Sequence, residues 1–143
     1  MESPQNIVLQ VGVKILLKNP EGKYLLVRRN PKKYPEVGPK WDIVGGRIDA
    51  GSPLFENLKR EIKEEVNLDY QGEPRLVAAQ DILRVPGRHV VRLTYTGEMN
   101  GEPVLDDDHL EVKWFTATEI LALSEAELDI YFKALVDAKT ISL

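Results

Sequence analysis

Apolar residues near the start of the chain alternate with other residues, and a period of two is typical of a β-strand. The alternating set is Leu9, Val11, Val13, Ile15 and Leu17. Residues 19–22, with the sequence Asn-Pro-Glu-Gly, predict a turn, and residues 23–29 then predict a second strand. The two strands and the turn together predict a β-hairpin.

Further strands are predicted later in the chain. Residues 41–44 predict one strand, residues 76–85 and 89–96 predict a strand pair, and residues 112–115 predict a short strand. The proline-rich segment 30–40 predicts a loop. We interpret this loop as a polar connection, with a flap beside a substrate as the alternative.

A different period appears between residues 54 and 66, where apolar residues recur at steps of four and predict an amphipathic helix. This stripe consists of Leu54, Leu58, Ile62 and Val66, with Phe55 beside it. Ser52 is the expected N-cap, because Pro53 suits the first helical position.

A last helix is predicted from Ser124, which forms a capping box with Glu127, to Ala138. Its expected buried face consists of Leu128, Tyr131, Phe132, Leu135 and Val136. Strands with one helix in the middle and another at the end predict the α/β class (α+β), with a mixed sheet between helical layers.

Composition limits the classes of protein to consider. With 143 residues, the chain is expected to form one domain over 1–143. It has no cysteine, so disulfides and thiolate sites are excluded. A net charge of −4 argues against a nucleic-acid partner, and no apolar run of about 18 residues predicts a membrane span. We therefore expect a cytoplasmic enzyme that acts on a small anionic substrate.

Three carboxylates on the first predicted helix are the main indication of the chemistry of this protein. Glu61, Glu64 and Glu65 share one side of the helix, next to the apolar stripe, so we expect them to reach a cleft without being buried. Like charges at this spacing repel each other, whereas magnesium and manganese bind clustered carboxylate oxygens. The pattern indicates a metal site for phosphate chemistry. A solvated charged face is the alternative for the helix taken alone.

The segment 45–68 resembles the signature of the Nudix hydrolase family. Signature positions are occupied by Gly46, Arg60, Glu61, Ile62, Glu64, Glu65 and Leu68. Ser52 stands where the family has a first glutamate, and Asn67 replaces a late glycine. The second change is mild, since asparagine tolerates the left-handed conformation at a helix end. Glu56 is a candidate to supply part of the support that is lost at Ser52.

This resemblance covers nearly the whole chain and implies an α/β/α sandwich. It implies that Glu61, Glu64, Glu65 and the Gly45 carbonyl bind Mg²⁺ or Mn²⁺. It also implies that Arg60 orients Glu61, and that Glu61 is the first candidate for the base that activates water.

A second acidic cluster, residues 106–111, precedes the strand at 112–115. The resemblance implies that such a segment supplies an additional metal ligand or the general base. The candidates are Asp108, His109 and Glu111. For Asp106 and Asp107, a solvated turn is the favoured interpretation. GDP-mannose-type members place a catalytic histidine similarly, so His109 supports a nucleotide-sugar hydrolase as an alternative.

Basic residues are candidates to bind the substrate phosphates, because guanidinium groups match phosphate oxygens. The candidates are Arg47, Arg28 and Lys40. Arg28 and Arg29 are expected to point to opposite faces of the sheet, so only one of them is expected to contact substrate. Arg84, Arg88 and Arg92 are interpreted as surface charges.

The favoured function is a metal-dependent hydrolase of nucleoside diphosphate derivatives, most specifically a nucleoside triphosphate pyrophosphohydrolase. Two alternatives stay open. One is the nucleotide-sugar hydrolase, and the other is a non-catalytic nucleotide sensor, because Ser52 breaks the signature. The resemblance also implies a homodimer.

Overall fold

The computed structural model describes residues 6–35 and 38–143. Within these ranges the elements are β1 (Val8–Lys18), β2 (Tyr24–Arg29), β3 (Trp41–Asp42), β4 (Val44–Arg47), α1 (Leu54–Val66), β5 (Arg75–Ile82), β6 (Arg88–Glu98), β7 (His109–Phe115), α2 (Ala117–Leu121) and α3 (Ile130–Asp137). None of these helices combines the length and the apolar character needed to cross a membrane.

Strand β1 organises the sheet. It pairs along its whole length with β6 in parallel, and it pairs with β4 in the antiparallel sense. On the far side of β6 lies antiparallel β5. Strand β2 pairs antiparallel with β3 and β7, and it joins β1 only at Lys18 and Tyr24.

Two apolar cores lie in the molecule, one against α1 and one against α2 and α3. The first contains alternate β1 residues with the α1 stripe: Val13, Ile15, Leu17, Leu58, Ile62 and Val66. The second contains Leu16, Leu26, Ile43, Ile120, Phe132 and Leu135. Helices therefore cover both sides of a mixed sheet, which confirms the expected α/β/α sandwich.

Helix α1 begins one residue later than predicted. Pro53, not Ser52, is the N-cap, and no side chain caps it. The buried Asn57 amide nitrogen donates to the Ser52 and Pro53 carbonyls and so fixes the backbone that leads into the helix. The helix ends at Asn67, whose φ of 56° is left-handed, as expected for asparagine at a helix end.

The predicted start of the last helix is wrong. Ser124 does bond to Glu127, but α3 begins only at Ile130, where the Asp129 carboxylate accepts from two backbone N–H groups. A capping box that the sequence reading missed, between Thr116 and Glu119, starts α2 instead. The apolar positions before Ile130 still contribute, since Leu128 is buried.

Five charged side chains form a largely buried network. Asp42, fully buried, contacts Arg29, Arg92 and Lys14. Asp129, which caps α3, contacts both arginines. The three cations hold the pKa of Asp42 far below its usual range, against the opposing effect of its burial. The network therefore joins four strands, β1, β2, β3 and β6, to the start of α3.

Asp42→Asn should destabilise the protein by about 3–5 kcal/mol, because it leaves buried cations without their carboxylate. Urea denaturation measures this free energy of unfolding. Asp137→Asn is the matched control, since Asp137 forms an exposed pair with Lys133. The control should change stability by less than about 1 kcal/mol. A loss of similar size in both variants would contradict the importance of the network.

Candidate active site

A cavity of about 500 Å³ lies where β1, β4, α1 and the start of β7 meet. Carboxylates from two parts of the chain line it: Glu61, Glu64, Glu65, Asp106 and Asp108. Cationic side chains also line it: Lys14, Arg29, Lys33, Arg47, Arg84, Arg88 and Arg92. The cavity therefore brings acidic groups that suit a cation and basic groups that suit an anion into one space.

The two glycines of β4 are required by close approach. Gly45 has a φ of 142°, and a Cβ atom there would overlap the Val13 carbonyl oxygen. At Gly46 a Cβ atom would lie 2.6 Å from a Glu61 carboxylate oxygen. The absence of a side chain at Gly46 thus lets the Glu61 carboxylate lie against β4.

Glu65 is buried, so the expectation that all three helix carboxylates avoid burial is wrong for this residue. One of its oxygens accepts from the Gly45 N–H at 2.8 Å, and the other lies 3.4 Å from His109 Nε2. Burial raises the pKa of Glu65 to about 8, while Lys14 opposes the rise. The carboxyl therefore loses its proton more readily when a cation approaches.

Arg60 contacts the other two carboxylates of the helix. Its Nη1 lies 2.9 Å from Glu61 and 3.2 Å from Glu64. The contact with Glu61 has the geometry expected of a residue that orients this carboxylate. Burial raises the pKa of Glu61 in spite of Arg60. Glu64 is more exposed, with 57% of its side chain accessible.

Arg60 is itself held by residues that the sequence analysis did not identify. Its guanidinium donates to the buried Asn57 oxygen at 3.0 Å and to the Arg47 carbonyl, and it pairs with Asp49 at 3.2 Å. No described ion pair involves Glu56, the residue expected to supply this support. Asn57 also accepts from the Asp49 N–H, so it connects the loop after β4 to α1.

The second acidic segment lines the cavity with two of its three predicted residues, Asp108 and His109, and also with Asp106. His109 is buried at the start of β7, and its Nδ1 lies 2.8 Å from Asp106. Asp106, expected to be a solvated turn residue, therefore orients the ring. Asp108 lines the cavity and pairs with Lys33 at 3.5 Å. Glu111 lies outside the cavity lining.

Of the three predicted phosphate-binding residues, one lines the cavity and two do not. Arg47 lines the cavity, whereas Arg28 pairs with Glu111 at 2.8 Å, and neither Arg28 nor Lys40 is part of the lining. Arg29 faces the cavity from the opposite face of β2, so the two arginines do diverge.

Three arginines interpreted as surface charges also prove to line the cavity: Arg84, Arg88 and Arg92. Arg92 is only 3% exposed. Lys33 and Tyr34 of the loop 30–40 also line the cavity. This position favours the alternative of a flap beside a substrate over that of a polar connection. Residues 36 and 37 of this loop lie outside the described residues.

Comparison with known proteins identifies the family. A family model described as NUDIX domain matches residues 8–136. The chain belongs to the Nudix hydrolase family. A curated relative from Mycobacterium tuberculosis, named "Putative 8-oxo-dGTP diphosphatase 2", is 29% identical over 86 residues. That match spans 60% of this chain and 60% of the relative.

Solved structures share the fold. The MutT protein from Methanosarcina mazei Go1 has a TM-score of 0.78 and 23% identity, over 96% of this chain and 94% of that one. A MutT Nudix hydrolase from Burkholderia pseudomallei has a TM-score of 0.73 and 24% identity, over 91% and 97%. The E. coli ORF135 protein has a TM-score of 0.67 and 20% identity, over 99% and 100%.

The donor types in this Nudix cavity fit a hard divalent cation. Carboxylate and carbonyl oxygens are the ligands that magnesium and manganese prefer, and Gly45, Glu61, Glu64 and Glu65 supply both kinds. As the side chains stand, no three acidic or histidine residues in 6–35 and 38–143 converge closely enough to hold a metal ion. Arg60 and Lys14 contact these groups instead. A metal ion that used the Gly45 carbonyl would therefore meet the ammonium group of Lys14 at the same oxygen.

The raised pKa of Glu65 makes the stability of the metal-free protein depend on pH. The unfolded carboxyl titrates near 4.5 and the folded one near 8, so between these values the folded protein holds a proton that the unfolded chain has released. Stability should therefore fall as the pH rises through this window, by at most about 1.4 kcal/mol per pH unit. Urea titrations in EDTA at several pH values measure the slope.

Glu65→Gln should reduce that slope, because the amide does not titrate. The contribution of Glu61, whose pKa is raised in the same direction, is kept in this variant. Asp42, whose pKa is lowered, changes the stability only at pH values below the range from 4.5 to 8. Equal slopes in the variant and the native protein would contradict the assignment to Glu65.

Asn57→Ala should lower the free energy of unfolding by about 1–3 kcal/mol, because the variant leaves buried polar partners unsatisfied. Asn100→Ala, at an exposed loop position, is the matched control and should change stability by about 0.5 kcal/mol or less. Thermal and urea denaturation both measure the difference. Equal stability of the two variants would show that the Asn57 hydrogen bonds contribute little.

Proposed function

We propose that this chain hydrolyses a phosphoanhydride bond of nucleoside diphosphate derivatives, with nucleoside triphosphates as the favoured substrates. The observation that carries the proposal is the composition of the cavity lining. Carboxylates of α1 lie beside the Gly45 carbonyl, and arginines of β4, β6 and the β5–β6 connection line the same space. A polyphosphate needs both kinds of group, because the nucleophile must be activated while the phosphate charge is neutralised.

Three arginines are the proposed phosphate-binding residues. Arg47 follows the two glycines directly, and Arg84 and Arg88 flank the turn between β5 and β6. All three are placed around the cavity, so they suit a chain of phosphates better than a single one. Arg28 and Lys40 are not retained in this role, because neither lines the cavity.

Glu61 is the proposed general base, with Arg60 as its positioning residue. Its raised pKa makes the carboxylate a better proton acceptor than an exposed glutamate. The contact with Arg60 fixes one of its oxygens at 2.9 Å. Glu61, Glu64, Glu65 and the Gly45 carbonyl, with Asp108 as a further candidate, would hold Mg²⁺ or Mn²⁺. A divalent ion bound there neutralises phosphate charge and polarises the bond to be cleaved.

The name of the curated relative supports the choice of a nucleoside triphosphate, since that protein is described as acting on 8-oxo-dGTP. The nucleotide-sugar alternative has an observation of its own. His109 is buried beside Glu65 and is oriented by Asp106, as a catalytic histidine would be. Homodimer formation and a cytoplasmic location rest on the resemblance and on composition, and they stay predictions.

A panel of nucleoside triphosphates, dinucleotides and nucleotide sugars, incubated in ¹⁸O-water with Mg²⁺ or Mn²⁺, tests the proposal. Mass spectrometry of the products identifies both the substrate and the phosphorus atom that is attacked. A labelled monophosphate with pyrophosphate, or a monophosphate with labelled pyrophosphate, supports the triphosphate reading. Free sugar with an intact nucleoside diphosphate, lost in His109→Ala, supports the alternative. Binding without turnover of any member would favour the nucleotide sensor.

Glu64→Gln should lower kcat/KM by about 100-fold or more, since changes even outside the direct ligands of a metal cost about 10–100-fold. The matched control is Glu56→Gln, which makes the same charge change on an exposed position of α1. The control should retain nearly full activity. Equal activity of the two variants would exclude Glu64 as a metal ligand.

A further inference from the structure

Lys14 carries a partly buried ammonium group with all its donors used. The residue lies in the middle of β1, and only 13% of its side chain is exposed. Its Nζ donates to the Gly45 carbonyl at 3.0 Å and to the Ile43 carbonyl at 3.2 Å, and it lies 3.0 Å from Asp42. Since an ammonium group has three N–H donors, these contacts satisfy it completely.

The position of this ammonium group matters because Gly45 is a proposed metal ligand. Lys14 lies opposite Gly45 in the β1–β4 ladder. The Gly45 peptide therefore contacts Lys14 through its oxygen and the buried Glu65 carboxylate through its nitrogen. Lys14 lies close enough for its charge to oppose the rise that burial causes in the pKa of both Glu65 and Glu61.

The charge of Lys14 is not needed to neutralise the network below it. Asp42 and Asp129 are each contacted by both Arg29 and Arg92. Two carboxylates thus have two arginines as partners, and Lys14 is the third cation. Its positive charge is in excess within the network, and its Nζ also contacts the Gly45 carbonyl, which lines the cavity.

We propose that Lys14 is a built-in competitor of the divalent cation, which occupies the Gly45 carbonyl in the metal-free protein and lowers the affinity for metal. The inference rests on the proposed function, because it concerns the same site. Metal binding must displace the ammonium group from the Gly45 oxygen or accept a neighbouring positive charge. Both effects weaken binding, since like charges at short range in a partly buried site repel strongly.

Mn²⁺ binding without substrate tests the proposal, with free Mn²⁺ measured by electron paramagnetic resonance at one fixed pH. Lys14→Met removes the charge and the donors while it keeps the length of the side chain. Its affinity for Mn²⁺ should rise about tenfold or more. Lys14→Gln removes the charge and keeps a donor, and it should also bind more tightly than the native protein. Urea denaturation of both variants checks that they fold.

Lys18→Met is the matched control, because Lys18 lies on the same strand at an exposed position and carries the same charge. Its affinity should stay within about twofold of the native value. The tighter binding should disappear in the Lys14→Met/Glu64→Gln double variant, which separates this site from adventitious acidic surface sites. Unchanged or weaker Mn²⁺ affinity in both Lys14→Met and Lys14→Gln overturns the proposal.

The outcomes also separate this inference from the proposed function. Metal-dependent turnover by the native protein, with unchanged Mn²⁺ affinity in both Lys14 variants, overturns the inference alone. Tighter Mn²⁺ binding in the variants, with no turnover of any substrate by any protein, supports the inference and contradicts the hydrolase function. The absence of Mn²⁺ binding by all the proteins overturns both.

Discussion

The buried carboxylate of Asp42 is the constraint on which the site depends. An ion pair at the surface would contribute little, but here the carboxylate and its cations are removed from water and must be paired. Asp42 binds Arg29 from β2, Arg92 from β6 and Lys14 from β1. Because Asp129 binds the same two arginines, the start of α3 is fixed to the sheet. The floor of the cavity is thus built from charges that are held rigidly in place.

Local patterns predicted the parts of the molecule that local spacing determines. The apolar stripe of α1 and the shared side of Glu61, Glu64 and Glu65 follow from helical geometry. The burial of Glu65 could not be read in this way, because it depends on the approach of Gly45 from another strand. The charged network around Asp42 could not be predicted from short sequence patterns either, because its members Arg29 and Asp129 are 100 residues apart. A sequence hint did exist at Lys14, a cation between the apolar residues Val13 and Ile15 of β1.

The structure indicates that Ser52, which stands where the family signature has a glutamate, has a smaller effect on the site than the sequence alone suggests. If each residue of the signature contributed independently, the loss of the glutamate at position 52 would predict lower activity. Here the guanidinium of Arg60 is held by Asn57 and Asp49, and it contacts Glu61 and Glu64 as well. Asn57 is buried and hydrogen-bonded at both ends of its amide, so its position is well defined. An arginine anchored in this way does not require a carboxylate at position 52 to keep its orientation.

The proposed metal ligands and the proposed phosphate-binding arginines lie on different parts of this fold. The carboxylates lie on α1, which packs on the core through Leu58 and Ile62, so their positions are fixed by the stability of the domain. Arg84, one of the basic residues of the cavity, lies in the β5–β6 connection, is exposed and has its guanidinium 5.1 Å from the centre of the Tyr131 ring. A change at this turn alters the reach of a guanidinium group without disturbing the carboxylates. Under the proposed function, substrate preference is therefore free to vary at the rim of the cavity without a change in the proposed metal ligands.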